Sequence, residues 1–557
     1  MNNFFYTHFL CIFLALDALC LGANPEVKNA LKNGSINDYH AQITERLSRR
    51  VSDHFKSNTK QGLKHLLDEP ELRRILAQRQ IIGKIGVASI DEFAKGNAQR
   101  KIFLGNFFTN TKAMEYALEG ATPIGRSHRE QDKWNIPVSA LEIWHQLLSS
   151  DPDAQSGIYL KLAIATGLNP PGTGNQGAGQ AKIPETPLAR YHFYKDSHLN
   201  GELFPSFDNL SVWEYRQIVS SNASNSDLEW GRNAINTWRP DLRHNELVVN
   251  STSEVWRRNS PIPFNDTFKN VLSGGGKCGP RSSWSIFICQ AFGIPATGVR
   301  QPGHVCATYK SAYPGVEPQP GNTWKVVYGR GWHVSKACGI SGEEFMREMG
   351  ARAHLAGFMR SERIRWLSAA IESNSILEKV TALFAVMPPM SVADRPLTPQ
   401  KHEAHSIKGP ITPPQSRTIR IDAASFIKAS GIQIHDCFTG GKQVYNAKYA
   451  PGWGTAANIT WKLHLPSAGN YELILLIAVA NVEQTVNISI NGNTPSPLSV
   501  TNSHGLWQAT RPLVITLKPG ENTINLTRPV TGRGLALRYL EIKKLLNNQQ
   551  SAIPLAK

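Results

Sequence analysis

Gly274-Gly275-Gly276-Lys277-Cys278-Gly279-Pro280-Arg281, followed by Gly293-Ile294-Pro295 and then by Gln301-Pro302-Gly303-His304, decides how the chain is read. Three glycines allow a sharp turn or a close backbone approach. Pro280 suits the opening of a helix. From Arg281 to Phe292 the residues are apolar enough for burial, with Trp284, Ile286, Phe287, Ile288, Ala291 and Phe292. Gly293 and Pro295 then stop the helix. Cys278 is thereby expected at a helix N-terminus, where unpaired N–H groups and the helix dipole favour a thiolate, with Arg281 one turn away. The run Thr297 to Thr308, broken by Pro302-Gly303, reads as strand. A returning strand can bring His304 to Cys278, and a thiolate beside an imidazole is a nucleophile with its general acid/base.

These residues resemble the transglutaminase-like superfamily. The points of likeness are Cys-Gly-Pro-Arg at a helix start, the apolar helix, Gly-Ile-Pro-Ala, and Pro-Gly-His opening a strand, within residues 270–335. The resemblance implies a papain-like α+β core with a catalytic Cys on a helix and a His on an adjacent strand. The family pattern adds an Asp shortly after a Trp on the following strand. Here Trp324 and Trp332 are followed by Tyr328 and Lys336 at the matching positions, and no Asp occurs between His304 and Asp394. Asn322, Tyr328 or a backbone carbonyl is left to orient the imidazole. Loss of an orienting acid can cost orders of magnitude in rate, so a non-catalytic scaffold stands as the competing reading. Gln301 is a candidate oxyanion donor, although such a residue more often caps a turn. Cys306 shares the His304 face of its strand and reads as a small buried hydrophobe.

The C-terminal part carries a different signal. Ile459, Trp461, Leu463 and Leu465 alternate with polar residues, as do Val486, Ile488 and Ile490, and Leu513, Ile515 and Leu517. Period-two runs separated by turns predict an all-β jelly-roll sandwich over 417–546. Ala468-Gly469-Asn470-Tyr471-Glu472-Leu473, Ile488-Ser489-Ile490-Asn491-Gly492 and Leu517-Lys518-Pro519-Gly520-Glu521-Asn522-Thr523-Ile524 are similar to phrases of galactose-binding-like carbohydrate-binding modules. That resemblance implies sugar stacking on loop aromatics, here Trp453, Tyr445 and Trp507, with Trp453 in Pro451-Gly452-Trp453-Gly454 foremost. An aromatic that plugs the end of the sandwich is the equal alternative. Related modules often hold a structural calcium through paired acids. Asp422 matches one and Ala424 stands where the second acid would be, so calcium is an open expectation and no other cofactor is required.

The rest of the chain frames these two regions. Residues 1–23 read as a signal peptide with the apolar core Phe9 to Leu16, too short to span a bilayer. Residues 24–150 read as helical, with no catalytic spacing. Residues 151–386 hold the transglutaminase-like domain, whose aromatics Tyr191, Tyr194, Trp213, Trp230 and Trp238 are expected to pack on the Cys278 helix. The Gly-rich stretch from Asn169 to Gly179 lacks a P-loop Lys-Ser/Thr. A Pro-rich linker occupies 387–416 and a tail 547–557. Of seven cysteines, five remain beyond the signal, an odd, sparse set that is no disulfide scaffold and fits no zinc spacing. A net charge of +17 and a pI near 9.5 favour an acidic partner. No basic run with interleaved aromatics points to nucleic acid, and no later segment is long and apolar enough to be transmembrane.

The sequence therefore predicts a secreted, periplasmic or cell-surface thiol enzyme of acyl transfer, a peptidase, amidase or transglutaminase-type catalyst. Its C-terminal module would hold it on polysaccharide or envelope glycan. The alternative is a non-catalytic extracellular carbohydrate-binding protein with a degenerate transglutaminase-like domain. A glycoside hydrolase is a distant third, since it needs paired carboxylates that the sequence does not identify.

Overall fold

The computed structural model describes residues 25–57, 66–125, 134–173, 185–243, 247–255, 268–310, 324–327, 336–337, 339–371, 418–446, 456–480, 482–528 and 534–545. The signal segment, the Pro-rich linker, Asn322, Tyr328, Trp332, Cys338 and Trp453 lie outside them.

The N-terminal region is helical, as its 3.6-residue patterning predicts. Its helices are α1 (Pro25–Asn33), α2 (Ile36–Ser57), α3 (Pro70–Ile85), α4 (Val87–Lys95), α5 (Ala98–Thr109), α6 (Thr111–Ala121) and α7 (Val138–Ser150). Next come α8 (Gly157–Leu168), α9 (Pro187–Leu199), α10 (Val212–Val219), α11 (Asn225–Trp238), α12 (Pro240–Arg243) and α13 (Phe268–Gly274). Then α14 (Cys278–Ala291) leads into the strands β1 (Ala296–Gln301), β2 (His304–Lys310), β3 (Trp324–Val327), β4 (Lys336–Ala337) and β5 (Ile340–Ser341). They form an antiparallel sheet in the order β3-β2-β1-β4-β5. The helices α15 (Gly342–Ala353) and α16 (Leu355–Ser368) follow.

One apolar core runs from Val27 to Ile371 and takes in Tyr445, Ala478, Ala480 and Ala536 of the C-terminal region. Helices α7 and α8, on either side of the expected boundary at residue 150, pack within it. Trp144 closes the seam between them by donating from Nε1 to the Ile164 carbonyl at 3.0 Å. The expected aromatic packing on α14 holds for Trp230, which stacks on Phe287 at 5.9 Å and meets Trp284 edge-on at 6.0 Å, whereas Trp213 packs instead against Trp324 and Phe345.

Helix α10 opens with a complete capping box. Ser211 Oγ accepts from the Glu214 amide and Glu214 Oε2 accepts from the Ser211 amide. The same carboxylate receives Lys310 Nζ of β2 at 2.8 Å, so one acid caps a helix and ties it to the sheet. Ser211→Ala leaves the Glu214 amide without its acceptor and is expected to cost about 1 kcal/mol in urea unfolding. An unchanged midpoint would show that the cap contributes nothing.

The C-terminal region is all β. Its strands are β6 (Thr418–Asp422), β7 (Lys428–Ser430), β8 (Gln433–Asp436), β9 (Lys442–Asn446), β10 (Ala457–Leu465), β11 (Gly469–Val479), β12 (Gln484–Ile490), β13 (Ser496–Val500), β14 (Gln508–Ala509), β15 (Leu513–Leu517), β16 (Gly520–Arg528) and β17 (Leu535–Lys544). One antiparallel sheet runs β13-β12-β16-β10-β7. The other runs β14-β11-β17-β9-β8, with β15 on β11 and β6 on β17. The alternating apolar residues of β10, β11, β12 and β16 fill a separate core around Trp461, whose indole Nε1 donates to the Ala423 carbonyl at 3.0 Å.

The sandwich is docked on the helical body. Trp230 Nε1 donates to the His504 carbonyl (3.1 Å), Asn502 Nδ2 to Ser273 Oγ (3.1 Å), and Gln443 Nε2 to the Thr237 carbonyl (2.9 Å). The Arg243 guanidinium lies 4.3 Å over the Phe438 ring. Gly505 has φ +82°, and a Cβ there would stand 3.0 Å from Ala234 Cβ. Only glycine satisfies both the left-handed backbone and the close approach to α11.

Candidate functional site

The glycine run does what its composition implies. Gly276 has φ +154°, and a Cβ on it would meet Pro280 Cγ at 2.5 Å. The chain can turn into α14 there only without a side chain. The helix begins at Cys278 itself, with no side chain capping it. Pro280 thus sits inside the first turn, not at the first position. A proline is tolerated through that turn because the N–H groups there have no partner within the helix. Cys278 is half-buried.

Ser282, one turn into α14, donates from Oγ to the Val305 carbonyl at 3.1 Å. That bond fastens the start of the helix to the start of β2. His304, immediately before Val305, is half-buried, and it pairs across the hairpin with Gln301, which is buried. The sheet register assigns the faces. Cys306 sits opposite Val299, and both join a satellite apolar cluster with Trp213, Trp324 and Phe345. Ala307 and Tyr309, of the opposite parity, face the main core that holds the apolar residues of α14. His304 shares the parity of Cys306.

Cys306 is buried. Burial first, and the nearby Cys278 thiol second, push its own thiol up to about 11. It stays protonated at neutral pH, as the reading of Cys306 as a buried hydrophobe anticipates. Cys278 and Cys306 therefore lie near each other where the N-terminus of α14 meets the β1–β2 hairpin, and His304 opens the same strand two residues before Cys306. Cys289, deep in α14, is also pushed up by burial. Cys278, Cys289, Cys306 and Cys437 are all free thiols, so no bridge forms among these four.

Several sequence candidates land elsewhere. Arg281 donates to the Thr252 carbonyl at 3.4 Å, a contact that braces the turn Val248–Glu254. Asn322 and Tyr328, the candidates for orienting His304, fall outside the described residues. Tyr445 corrects the expectation of a sugar platform. It is fully buried, and Arg239 lies 5.3 Å over its ring. Tyr445 belongs to the main helical core while its neighbour Val444 belongs to the sandwich core. The outward face of β9 is the docking face, so the ring offers no surface to a glycan. Trp507 is half-buried and packs in part against the same helical core. Trp453 lies outside the described residues. Asp422 is exposed, 4.0 Å from Arg538. Among the described residues no three or more His, Cys, Asp or Glu side chains group in a way that could hold a metal ion. No described helix is long and apolar enough to cross a membrane.

The sequence missed the interface itself. The signal available was the apolar outward position of Tyr445, which a solvated sheet face would have made polar.

No protein-family model matches the chain, and no curated protein matches it. Solved structures similar to part of it include a family 35 carbohydrate-binding module from Clostridium thermocellum. It is 21% identical, covers 23% of this chain and 98% of that one, and has a TM-score of 0.20. The C-terminal CBM6 of the laminarinase LamC from Zobellia galactanivorans is 19% identical over 23% of this chain and 99% of that one, TM-score 0.19. A GH26-CBM35 β-(1,4)-mannanase from Podospora anserina is 16% identical over 23% of this chain, TM-score 0.20, and the chain spans only 28% of that enzyme's length.

Proposed function

We propose that the chain is a secreted cysteine-dependent acyl-transfer enzyme with a transglutaminase-like core, directed to polysaccharide by its C-terminal sandwich. The observation that carries the reading is the Ser282–Val305 bond of 3.1 Å. It holds the helix N-terminus bearing Cys278 at the strand end bearing His304. In the proposed reaction the Cys278 thiolate attacks an amide carbonyl and forms a C–S bond. The C–N bond then breaks as His304 protonates the departing amine. His304 next takes a proton from water, the hydroxide attacks the thioester, and the carboxylic acid leaves with Cys278 restored as thiolate. An amine in place of water would give a cross-link. Hydrolysis is preferred, because water is abundant and no residue marks an amine site. Sugar contact is proposed for Trp453, which lies outside the described residues.

The test is the pH dependence of iodoacetamide labelling at Cys278, read by peptide mass spectrometry in the wild type and in His304→Ala. Labelling of the wild type well below the ordinary thiol pKa of about 8.5, lost in the variant, is the expected result. An ordinary thiol titration, unchanged by the substitution, would overturn the enzyme reading. Retained glycan binding would then favour the alternative of a non-catalytic carbohydrate-binding protein. The observation behind that alternative is the missing Asp after Trp324 and Trp332.

A further inference from the structure

A cavity of about 400 Å³ opens between the start of α3, α6 and α16. None of Cys278, His304 and Cys306 lines it, so it is separate from the proposed acyl-transfer site. Its polar wall is a lattice of shared ion pairs. Arg73 makes two bonds to Glu115, at 3.1 and 2.6 Å. Arg360 makes two to Asp68, at 3.3 and 2.5 Å. Arg363 bridges both acids, reaching Glu115 at 2.8 Å and Asp68 at 3.0 Å.

The charges in that wall do not balance. Among the described residues lining the cavity, the lattice sets Arg73, Arg360 and Arg363 against Asp68 and Glu115, an excess of one, and exposed Lys112 at the rim raises the excess to two. A lattice serving only to staple helices would be expected to approach neutrality, because each uncompensated charge near the interior is costly. Arg363 feels this most. It is only 3% exposed, burial works against its charge, and its Nε has no hydrogen-bond partner. Arg360 and Arg73 are about a third exposed, so the cavity side of the lattice is open to an incoming group. The remaining wall is apolar, with Leu355 and Met359 beside the ring of Tyr116. Lys112 is exposed at the rim, its Nζ 5.7 Å from the centre of that ring.

We propose that this cavity binds a compact organic dianion, its charges held by Arg360, Arg363 and Lys112 and its apolar part lying against Met359, Leu355 and Tyr116. Two charges match the excess of two. Guanidinium groups hold phosphate and carboxylate oxygens alike through paired N–H donors. The volume suits a small molecule and not a polymer. The shared chemistry is therefore that of a phosphate monoester or a dicarboxylate with a short apolar body.

Isothermal titration of the full chain in low-salt buffer tests the assignment. The probes are phenyl phosphate and isophthalate, with benzyl alcohol as the neutral control. Saturable one-to-one binding of at least one dianion, and none of the alcohol, is expected. Which dianion binds more tightly separates the phosphate source from the dicarboxylate source. Lys112→Gln and Arg360→Gln should each weaken binding about tenfold. Lys112→Gln alters only an exposed side chain and should melt at the wild-type temperature, so lost affinity there is not lost folding. Absence of saturable binding to the wild type up to about 10 mM would overturn the proposal. Binding that survives undiminished in Lys112→Gln and Arg360→Gln would do the same.

Discussion

Arg352→Met is expected to destabilise the helical body by about 3–5 kcal/mol at neutral pH, read as an earlier urea transition in far-UV circular dichroism. Arg352 is 2% exposed and Glu119 is fully buried. The guanidinium donates to Glu119 Oε1 at 2.9 Å, to the Glu119 carbonyl at 2.8 Å, to the Thr122 carbonyl at 2.8 Å and to Glu348 at 3.2 Å. On its other side Glu119 Oε2 accepts the amides of Val212 and Trp213 at 2.9 and 3.2 Å. One acid thus joins α6, the N-terminus of α10 and, through Arg352, α15. Methionine replaces the volume of the arginine stem but leaves a buried carboxylate without its counter-charge.

The pH dependence has a definite sign. Burial raises the Glu119 carboxyl above its ordinary value, against the opposing charge of Arg352. Removing that charge raises it further. A group with a raised folded pKa contributes its stability fully below the unfolded pKa and loses it as pH rises through the folded pKa. The deficit of Arg352→Met should therefore be largest at neutral pH and shrink as pH falls toward the ordinary carboxylate value of 4.5. Adding Glu119→Gln to Arg352→Met should recover part of the loss. A deficit under about 1 kcal/mol, or one that ignores pH, would show that the pair is not the tie described here.

Under the proposed acyl-transfer reading, Cys278→Ala is expected to lower amide hydrolysis by about four orders of magnitude or more. The readout is kcat/KM against a panel of peptidyl coumarylamides, with acyl-enzyme sought by intact-protein mass spectrometry. Loss of a nucleophile is not repaired by neighbours. The neighbouring thiol, Cys306, is buried and protonated at neutral pH. Cys306→Ala should accordingly keep most of the activity. The same reading has His304→Ala fall about as far as Cys278→Ala, and the double variant no further, as for two residues that act as one unit. Activity that survives Cys278→Ala would place the chemistry elsewhere. Loss on Cys306→Ala with retention on Cys278→Ala would exchange their roles.

Much of the local structure was legible in the residues. Alternation at Ile459, Trp461 and Leu463 marked β10. Gly293 and Pro295 marked the end of α14, and the glycines before Cys278 its entry. These signals are short-range. They arise from side-chain periodicity and from which backbone angles a residue can adopt, and nothing distant is needed to read them.

What only the tertiary structure decided lies between segments far apart in the chain. Tyr445 and Trp507 read as loop aromatics free for a sugar, yet packing on the helical core buries Tyr445 fully and Trp507 in part. The cavity wall joins Asp68 to Arg360 across 292 positions, and the Arg352–Glu119 tie spans 233. A sequence specifies which side chains are apolar or charged. Which of them meet is set by how whole elements dock, where burial of large surfaces outweighs any local preference. For this chain the residues by themselves determined helices, strands and the candidate thiol. Docking decided which aromatics are covered, which charges are left in excess, and which strand end comes to Cys278.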